Sequence, residues 1–366
     1  MLTVASSVWL AWMACGAWLE YRKRRNLAHV RHRILVTGMR GKTTFVRLLH
    51  AGLVQHGVPT LSRISGDAPL LLLPDGRERP SPRRGLPNIV ELQRVLLGSA
   101  VRGVEAVVLE NMAIRPDLQR TVGKYIFRPT LQVLVSDAPD HLDVFPAGAR
   151  DRAVLQLGAL DKGIPLLITP GEENGELRSH AVARGFELVE PEEGHSPTGL
   201  YPHTRNLLAG VMAALRTMNA AGPENLETVA RRAREDERID IYTTGEGFRL
   251  ADLLSVNDPL STSTMLRLLA ERAGVTPQKA GAVYCHRRDR AARLQSFVSL
   301  LRRHPAVIVG DRPPLTVLKA SGARYLRRLD PRAVPGEGFA FAAGNAAYAG
   351  ARVRQVFRSM GEHARW

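Results

Sequence analysis

A short glycine-rich turn carries the residues best suited to chemistry in this sequence. It reads Gly38-Met39-Arg40-Gly41-Lys42-Thr43-Thr44. Backbone N–H groups of such a turn point at an anion, a lysine neutralises phosphate charge, and a threonine hydroxyl can hold Mg²⁺. The longer P-loop pattern needs a glycine where this chain has Val36, so this is a shorter Gly-x-x-Gly-Lys-Thr-Thr form. The pattern predicts a nucleotide-phosphate site, and the alternative is a chance glycine turn before a helix.

The predicted elements around this turn are those that a phosphate site needs. Residues 33–37 predict a short apolar strand, and residues 43–56 predict an amphipathic helix that ends at Gly57. Because strand, turn and helix follow one another in that order, the open N-terminal end of the helix faces the same anion as the turn.

Acidic residues follow two further predicted strands. Residues 105–109 predict a buried strand that ends beside Glu110, and residues 131–135 predict another, followed by Asp140, His141 and Asp143. A carboxylate at the tip of a strand lies where open α/β sheets bind ligands. Two acidic residues flanking a histidine can hold a metal ion or make a hydrogen-bonded turn. Both interpretations of this segment stay open.

Alternating strands and helices predict an α/β fold with mostly parallel sheets and right-handed crossovers. Within it, residues 74–87, rich in Pro, Gly and Arg, predict a mobile or substrate-facing loop. The charged run 231–238 is typical of a solvated helix face and marks the end of one domain. We therefore expect a central P-loop ATPase domain at 26–237 and a smaller, Rossmann-like α/β domain at 238–366.

The N-terminal residues 2–19 contain no charge, and the basic residues 22–25 follow closely. About 20 apolar residues span a bilayer, and positive charges mark the cytoplasmic side. This predicts a single-pass transmembrane anchor with its basic flank at residues 1–25, and catalytic domains in the cytoplasm. A cleaved signal peptide needs positive charge ahead of the apolar run, which is absent here. The other alternative is a buried N-terminal helix.

The formal net charge is +16, from 51 Lys and Arg against 35 Asp and Glu. Such a balance suits nucleic acid, an anionic membrane face, acidic substrates or a solvated arginine-rich surface. Aromatic residues make up only 5% and no nucleic-acid motif accompanies the charge, so we predict no nucleic-acid partner. The only cysteines, Cys15 and Cys285, exclude a disulfide framework, and no oriented base supports a nucleophilic Cys285.

Together the motifs resemble the Mur ligase superfamily, most closely the poly-γ-glutamate synthase ligase subunits of the PgsB/CapB type. The resemblance covers nearly the whole chain after the N-terminal segment. The motifs that carry it are GMRGKTT at 38–44, LENMAIRPDLQ at 109–119, DHLDV at 140–144, NDPLSTST at 257–264, HRRDRAARLQSF at 286–297 and AAGN at 342–345.

The resemblance implies an ATP-dependent carboxylate-amine ligase that works through an acyl phosphate and joins glutamate in γ-linkage. It implies ATP and Mg²⁺, or Mn²⁺, as cofactors. The implied partners are glutamate, the growing polyglutamate chain, the membrane and small membrane proteins of a synthase and export complex. Alternatives are a ligase for another amino acid and a non-catalytic nucleotide-binding subunit.

The same resemblance implies roles for individual residues. Thr43 and Glu110 would hold the Mg²⁺ that bridges the ATP phosphates, and His141 would serve a second metal. The implied catalytic residues are Lys42, Glu110 and His141, and the implied nucleotide contacts are residues 38–44 with Asp289, Arg290 and Arg293. Asn257 and Asp258 would face the active site, whereas Arg115 would meet an anionic substrate or be an ordinary surface arginine.

Two positions depart from the family pattern. Many Mur ligases carry a carbamylated lysine shortly after the DHLD motif, and here no lysine follows that motif before Lys162. The family's His-Asn motif is replaced by His203-Thr204. The departures put a second-metal ligand and the adenine contacts in question.

Overall fold

The computed structural model of the protein describes residues 2–65, 69–81, 88–137, 145–146, 148–191, 202–237, 239–256 and 258–366. The chain divides into two compact units, Met1–Glu237 (unit 1) and Arg238–Trp366 (unit 2). Each unit contains one β-sheet with helices packed on it, so the fold is mixed α/β.

Unit 1 contains eight strands and eight α-helices in its described part. The strands are β1 (His32–Thr37), β2 (Thr60–Ile64), β3 (Leu70–Leu72), β4 (Glu78–Pro80), β5 (Ala106–Glu110), β6 (Leu131–Leu134), β7 (Leu166–Ile168) and β8 (Leu188–Val189). The helices are α1 (Leu2–Ala28), α2 (Lys42–Gln55), α3 (Val90–Leu97), α4 (Pro116–Thr121), α5 (Ala149–Gly158), α6 (Gly175–Ala183), α7 (Pro202–Thr217) and α8 (Pro223–Glu237). A π-helical segment, Val122–Phe127, continues α4.

The strands of unit 1 form one sheet in the order β4-β3-β2-β5-β1-β6-β7-β8. The six neighbouring strands β2, β5, β1, β6, β7 and β8 pair in parallel. At one edge of the sheet, β3 pairs antiparallel with both β2 and β4. Side chains alternate between the two faces of a strand. Ile34 and Val36 therefore pack in one core with side chains of α2, α7 and α8, while Leu35 packs in another with α3 and the end of α1.

The antiparallel edge occupies part of the segment that the sequence predicts to be a loop. β4 pairs with β3, and Arg47 on α2 forms an ion pair with Glu78 of β4. Pro80 lacks the N–H that a central strand must donate, so it is tolerated here because β4 is the edge strand. Residues 82–87 of the predicted loop lie outside the described residues.

The predicted transmembrane anchor is wrong, and so is the single-pass membrane localisation predicted from it. The N-terminal segment is a helix of 27 residues, but among the described residues none of the helices is both long enough and apolar enough to cross a membrane. Ser6, Ser7 and Gly16 dilute the uncharged run, whereas a spanning helix needs about 20 predominantly apolar residues. The side chains of Trp9 and Trp12, in the first half of the helix, are exposed.

The last turns of α1 pack against the rest of unit 1. Lys23 is buried, and its Nζ donates to the carbonyl oxygen of Tyr125 at 3.0 Å. Nδ2 of Asn26 donates to the carbonyl oxygen of Leu96 at 2.8 Å, and Leu27 packs in the core. The basic flank that suggested a cytoplasmic border is thus partly used in packing.

Unit 2 contains seven strands and four α-helices in its described part. The strands are β9 (Asp240–Thr243), β10 (Arg249–Asp252), β11 (Gly281–His286), β12 (Ala306–Gly310), β13 (Arg324–Leu326), β14 (Phe339–Gly344) and β15 (Glu362–Arg365). The helices are α9 (Pro259–Ala273), α10 (Ala291–Leu301), α11 (Leu315–Ser321) and α12 (Ala349–Met360). The strand order is β13-β12-β11-β14-β10-β9-β15.

The five strands from β13 to β10 pair in parallel, and β9 pairs antiparallel with both β10 and β15. Tyr284 of β11 packs on the face with α9 and α10, and its neighbours Val283 and Cys285 pack on the face with α12. The carboxyl ends of β11, β12 and β14 therefore meet at one edge of the sheet, where α/β folds bind ligands.

Candidate active site

The glycine-rich turn lies between β1 and α2, with Gly38 and Gly41 in backbone conformations that favour glycine. Their φ angles are 116° and 76°. A Cβ on Gly38 would lie 2.9 Å from the backbone nitrogen of Ser136, and the N–H of Met39 donates to the carbonyl oxygen of Ser136 at 2.8 Å. The turn is thus held against the residues that follow β6.

Lys42, the first residue of α2, turns its side chain over this loop. Its Nζ donates to the carbonyl oxygens of Gly38 at 2.6 Å and Met39 at 3.1 Å. Thr44 is half-buried in the first turn of the helix, and Arg40 is half-buried within the loop. The ammonium group is therefore at the place where the turn and the helix N-terminus would receive a phosphate.

Glu110 and Thr43 meet beside the turn. The Thr43 hydroxyl donates to Oε2 of Glu110 at 3.1 Å, and the same oxygen accepts the backbone N–H of Ser65 at 2.8 Å. Because β5 lies between β1 and β2, with Glu110 in register with Val36, its carboxylate is delivered to the carboxyl edge of the sheet. Glu110 is only 4% exposed.

The Thr43 and Glu110 oxygens suit a magnesium ion. Mg²⁺ takes oxygen ligands in an octahedron with bonds of about 2.1 Å, which places neighbouring ligands about 3.0 Å apart. The observed separation is 3.1 Å. Within the described ranges there is no cluster of three or more His, Cys, Asp and Glu side chains that could hold a metal. His141, with Asp140 and Asp143, lies outside the described residues.

Asp137 is the last described residue before that motif, and a buried network fixes it. Its N–H donates to Oδ1 of Asn174 at 2.8 Å, Gln156 donates to its carboxylate, and Arg152 lies 3.5 Å from Oδ1. Burial raises the pKa of the Asp137 carboxyl to about 6, although Arg152 acts in the opposite direction. The network anchors the backbone at the carboxyl end of β6.

In unit 2, two sequence motifs meet at the carboxyl ends of β11 and β14. Arg293 donates from a guanidinium nitrogen to Oδ1 of Asn345 at 3.0 Å, and Nδ2 of Asn345 donates to the carbonyl oxygen of Cys285 at 3.0 Å. Arg290 is the residue that precedes α10. Asp289 is exposed and pairs with Arg287, whose hydrogen bonds lower the pKa of the Asp289 carboxyl.

Two candidate substrate residues have local structural partners. Oδ1 of Asp258 accepts the N–H of Ser261 at 2.8 Å and caps α9. Arg115 is exposed and forms an ion pair of 2.8 Å with Asp117. Asn257 lies outside the described residues.

Cys285 is fully buried, and burial raises the pKa of its thiol. A buried thiol of this kind stays protonated and is a poor nucleophile. This agrees with the sequence analysis, which found no base that would activate it.

Two residues near the turn were not found by sequence reasoning. Ser65 reaches Glu110 through its backbone, which no side-chain pattern signals. His203, at the start of α7, lies against the loop, since a Cβ on Gly41 would be 3.2 Å from its Nε2. The only sequence signal for His203 was its place in the segment that corresponds to the family's His-Asn motif.

Comparison with known proteins identifies relatives of both units. Residues 240–358 match the family described as "Poly-gamma-glutamate synthase CapB C-terminal domain". "PGA synthase CapB" of Bacillus subtilis is 23% identical over 308 residues, which are 80% of this chain and 78% of that protein. "Capsule biosynthesis protein CapB" of Bacillus anthracis is 32% identical over 132 residues, 35% of this chain and 28% of that protein.

Solved structures share the fold of the whole chain. E. coli FolC in complex with ADP has a TM-score of 0.60 at 15% identity, covering 96% of this chain and 97% of FolC. MurF from Acinetobacter baumannii has a TM-score of 0.63 at 16% identity, covering 94% of this chain and 80% of MurF. The chain has the Mur-type ligase fold. The predicted resemblance to the Mur ligases and to CapB is thereby confirmed.

A third structure with this Mur-type ligase fold contains ligands. It is a bifunctional folylpolyglutamate synthase/dihydrofolate synthase with Mn, AMPPNP and L-glutamate bound. Its TM-score is 0.57 at 14% identity, covering 92% of this chain and 93% of that one. The CapB-like match begins with β9 and extends into the last turn of α12, so it covers nearly all of unit 2.

Proposed function

We propose that this chain is an ATP-dependent ligase that forms amide bonds in the synthesis of poly-γ-glutamate. The observation that carries the proposal is the meeting of Thr43 and Glu110 at 3.1 Å beside the glycine turn and Lys42. That geometry suits a triphosphate with its metal. The names of the CapB relatives and the ADP, AMPPNP and glutamate in the solved neighbours support the same reaction.

The residues of the turn suit the first half of the reaction. A substrate carboxylate oxygen attacks the γ-phosphorus of ATP, the bond to ADP breaks, and an acyl phosphate forms. Two anions repel each other by about 4 kcal/mol at 4 Å in a surface-like dielectric. Lys42, with the N–H groups of the turn, offsets that repulsion and orients the phosphoryl group.

The second half of the reaction needs an amine. The amine nitrogen of the incoming amino acid attacks the acyl carbon, phosphate leaves, and a proton is released from the nitrogen. Repeated with glutamate as the amine and the γ-carboxylate of the chain end as the acid, these two steps extend a γ-linked polymer.

Thr43 and Glu110 would hold a divalent metal ion. When bound, such an ion neutralises phosphate charge and polarises the phosphoryl oxygens. We propose Mg²⁺, because hydroxyl and carboxylate oxygens are the ligands it prefers, while Mn²⁺ accepts the same set. A second metal at His141 stays a prediction.

The other predicted contacts also stay proposals. Arg293, held by Asn345, and Arg290 and Asp289 beside it would contact the nucleotide. The polyglutamate chain as substrate follows from the CapB relatives, and the small protein partners of a synthase complex stay a prediction.

The reaction is tested by trapping the acyl phosphate. The protein is incubated with ATP, Mg²⁺, glutamate or a short γ-linked oligomer, and hydroxylamine, and the hydroxamate is measured. We expect the hydroxamate from the wild type and none from Lys42→Ala. Lys162→Ala, an exposed lysine with the same change of charge, is the control and should behave as wild type. Equal yields from both variants would refute the role of the turn.

The amino acid is tested separately. ADP release is measured across a panel of amino acids with each as the only added amine, and we expect glutamate to give the fastest release. Faster release with another amino acid would assign the ligase a different substrate. Tight ATP binding with no ADP release for any member of the panel would instead favour the non-catalytic alternative.

A further inference from the structure

A groove of about 300 Å³ lies in unit 2 between α12 and the residues that follow β13. Three arginines line it, Arg327, Arg328 and Arg352, and no acidic side chain of the described residues does. Its floor includes the buried apolar side chains Leu329 and Val353. Nothing in the proposed ligase chemistry uses this groove.

The three groove arginines, of which only Arg352 lies on α12, differ from Arg354 and Arg358, the other arginines of that helix. Arg354 forms an ion pair with Asp252, and Arg358 donates to the hydroxyl of Tyr242 at 3.4 Å. Within the part of the chain that the structure describes, the three groove arginines make no ion pair and no side-chain hydrogen bond. All three are exposed to solvent.

The acidic residues Asp330 and Asp311, which follow the groove residue Leu329 and the end of β12 in the chain, accept hydrogen bonds from backbone N–H groups and form no ion pair among the described residues. Oδ1 of Asp330 accepts the backbone N–H of Arg332 at 2.9 Å, and Oδ2 of Asp311 accepts the backbone N–H of Arg288 at 2.8 Å. Within the described residues no carboxylate forms an ion pair with the three arginines that line the groove, so their positive charges are concentrated there, and like charges repel. A bound anion relieves this repulsion and adds charge-assisted hydrogen bonds.

The groove is elongated along the helix. Its lining on α12 runs from Ala349 to Ser359, which are ten steps apart and so span about 15 Å at the helical rise of 1.5 Å per residue. Gln355 and Ser359 add side chains that can donate or accept hydrogen bonds. A groove of this length suits several units of an extended chain better than one small anion.

We infer that this arginine groove, defined by Arg327, Arg328, Arg352, Leu329 and Val353, binds the growing polyglutamate chain. The identity of the polymer rests on the proposed function. A polyglutamate chain presents one carboxylate for each residue, which matches the planar fork of arginine, and its methylene groups can lie on the apolar floor. Holding the chain in this groove keeps the product bound between successive additions.

The binding experiment uses the full chain without ATP. A fluorescent γ-linked glutamate octamer is titrated at low salt, and its anisotropy is followed. We expect the triple variant Arg327→Ala/Arg328→Ala/Arg352→Ala to bind at least about tenfold more weakly, since three exposed ion pairs together contribute more than about 1.4 kcal/mol. Thermal melting of each variant shows that it is folded.

The matched control removes three exposed arginines elsewhere in unit 2, as Arg267→Ala/Arg302→Ala/Arg303→Ala. It makes the same change of net charge, and we expect it to bind within about threefold of wild type, because distant surface charges are screened. Equal weakening in both triple variants would mean that overall charge alone binds the octamer. That result would overturn the inference.

Competition identifies the class of anion. Inorganic phosphate and a single-stranded RNA of equal total charge are added to the bound octamer. Concentrations are compared as total negative charge. We expect unlabelled octamer to displace the labelled octamer at a far lower concentration than phosphate does, and RNA to displace it less well than unlabelled octamer does. Displacement by phosphate at equal charge would reduce the groove to a small-anion site. Preference for RNA would make it a nucleic-acid site, and either result overturns the inference.

Failure of this inference can be told apart from failure of the proposed function. In a Lys42→Ala background without ATP, the groove substitutions should still weaken octamer binding by at least about tenfold, because binding in the groove needs no ligase chemistry. The groove variant should still form hydroxamate with glutamate, yet give shorter polymer than wild type. Normal polymer length together with normal octamer binding in the groove variant would overturn the groove while leaving the ligase reaction in place.

Discussion

The hydroxyl of Thr43 lies 3.1 Å from the carboxylate of Glu110, although 67 residues separate them. The parallel pairing of β1 with β5 produces this contact, since it sets Val36 beside Glu110 at the edge where the turn begins. Two oxygen atoms that suit a metal ion are therefore brought together by the order of the strands, and a change at either residue alters the same site.

Replacing Glu110 with glutamine tests the metal role. The amide oxygen can still accept the N–H of Ser65, so we expect stability to change by less than about 1 kcal/mol. The Mg²⁺ concentration needed for ADP release should rise by about 100-fold or more, since even residues that only orient a ligand contribute about 10–100-fold. Glu105→Gln, exposed just before the same strand, is the control. An unchanged Mg²⁺ dependence in Glu110→Gln would remove this residue from the metal site.

Replacing Gly38 with alanine tests the close approach of the turn to Ser136. At φ 116° the new Cβ would lie 2.9 Å from a backbone nitrogen. We expect a loss of about 2–3 kcal/mol in the free energy of unfolding, measured with urea, and loss of nucleotide binding. Gly57→Ala separates the strain of a positive φ from the clash with Ser136. Gly57 has φ 77° with nothing within 4 Å, so its substitution should cost only about 1 kcal/mol. Equal costs at the two glycines would mean that the contact with Ser136 is unimportant.

A buried ion pair supports the strand that leads to the site. Arg63 of β2 is fully buried and pairs with Glu91 of α3, which is 8% exposed. Glu91→Gln leaves the guanidinium charge without its carboxylate, so we expect a loss of about 3 kcal/mol in the free energy of unfolding. The double variant Arg63→Met/Glu91→Leu should recover much of that loss, because both buried charges of the pair are then removed. A single variant as stable as wild type would show that the charge is compensated elsewhere.

Acid should destabilise the fold through His50. Burial lowers the pKa of this imidazole to about 4, and its Nδ1 lies 2.9 Å from the hydroxyl of Ser62. In the unfolded chain the pKa is about 6.5, so between these values the unfolded state binds the proton. The contribution of His50 is therefore complete above pH 6.5 and falls by up to about 3 kcal/mol as the pH is lowered to 4.

The difference between wild type and His50→Gln isolates this effect, because the other titrating groups are common to both proteins. Urea unfolding from pH 7 to pH 4 should show the wild type losing stability relative to the variant. Parallel curves would mean that His50 has an ordinary pKa in the folded protein. His56→Gln, an exposed histidine just after α2, is the control and should follow wild type.

The sequence predicted the central strands well because their apolar runs are buried on both faces. Residues 33–37, 105–109 and 131–135 match β1, β5 and β6 to within one residue at each end. The edge strands were missed, since β4 and β15 are short and exposed and their sequences, ERP and EHAR, carry no apolar signal. Pairing with a neighbouring strand, which a local pattern does not report, forms them.

The site could be predicted only in part. The glycine turn and Glu110 were predicted because each comes at the carboxyl end of a predicted strand, where α/β sheets bind ligands. The structure brings Thr43 and Glu110 together. The contact of Ser65 with Glu110 depends on tertiary packing, which leaves no local signal. The sequence indicated His203 only through its place in the family's motif, and its position against the turn also depends on packing. The transmembrane prediction was wrong because an uncharged segment of sufficient length is not always apolar enough to span a membrane. Ser6, Ser7 and Gly16 lower the hydropathy of this helix.

The most direct test of the account follows the oxygen atoms of glutamate. Substrate labelled with ¹⁸O in its carboxylates is incubated with ATP, Mg²⁺ and hydroxylamine, and the released phosphate is analysed by mass spectrometry. If the γ-phosphoryl group passes to the carboxylate, each phosphate released carries one ¹⁸O atom. The Lys42→Ala variant should release no ¹⁸O-labelled phosphate. Unlabelled phosphate appearing together with ADP would contradict the account, because ATP would then be hydrolysed by water without forming an acyl phosphate.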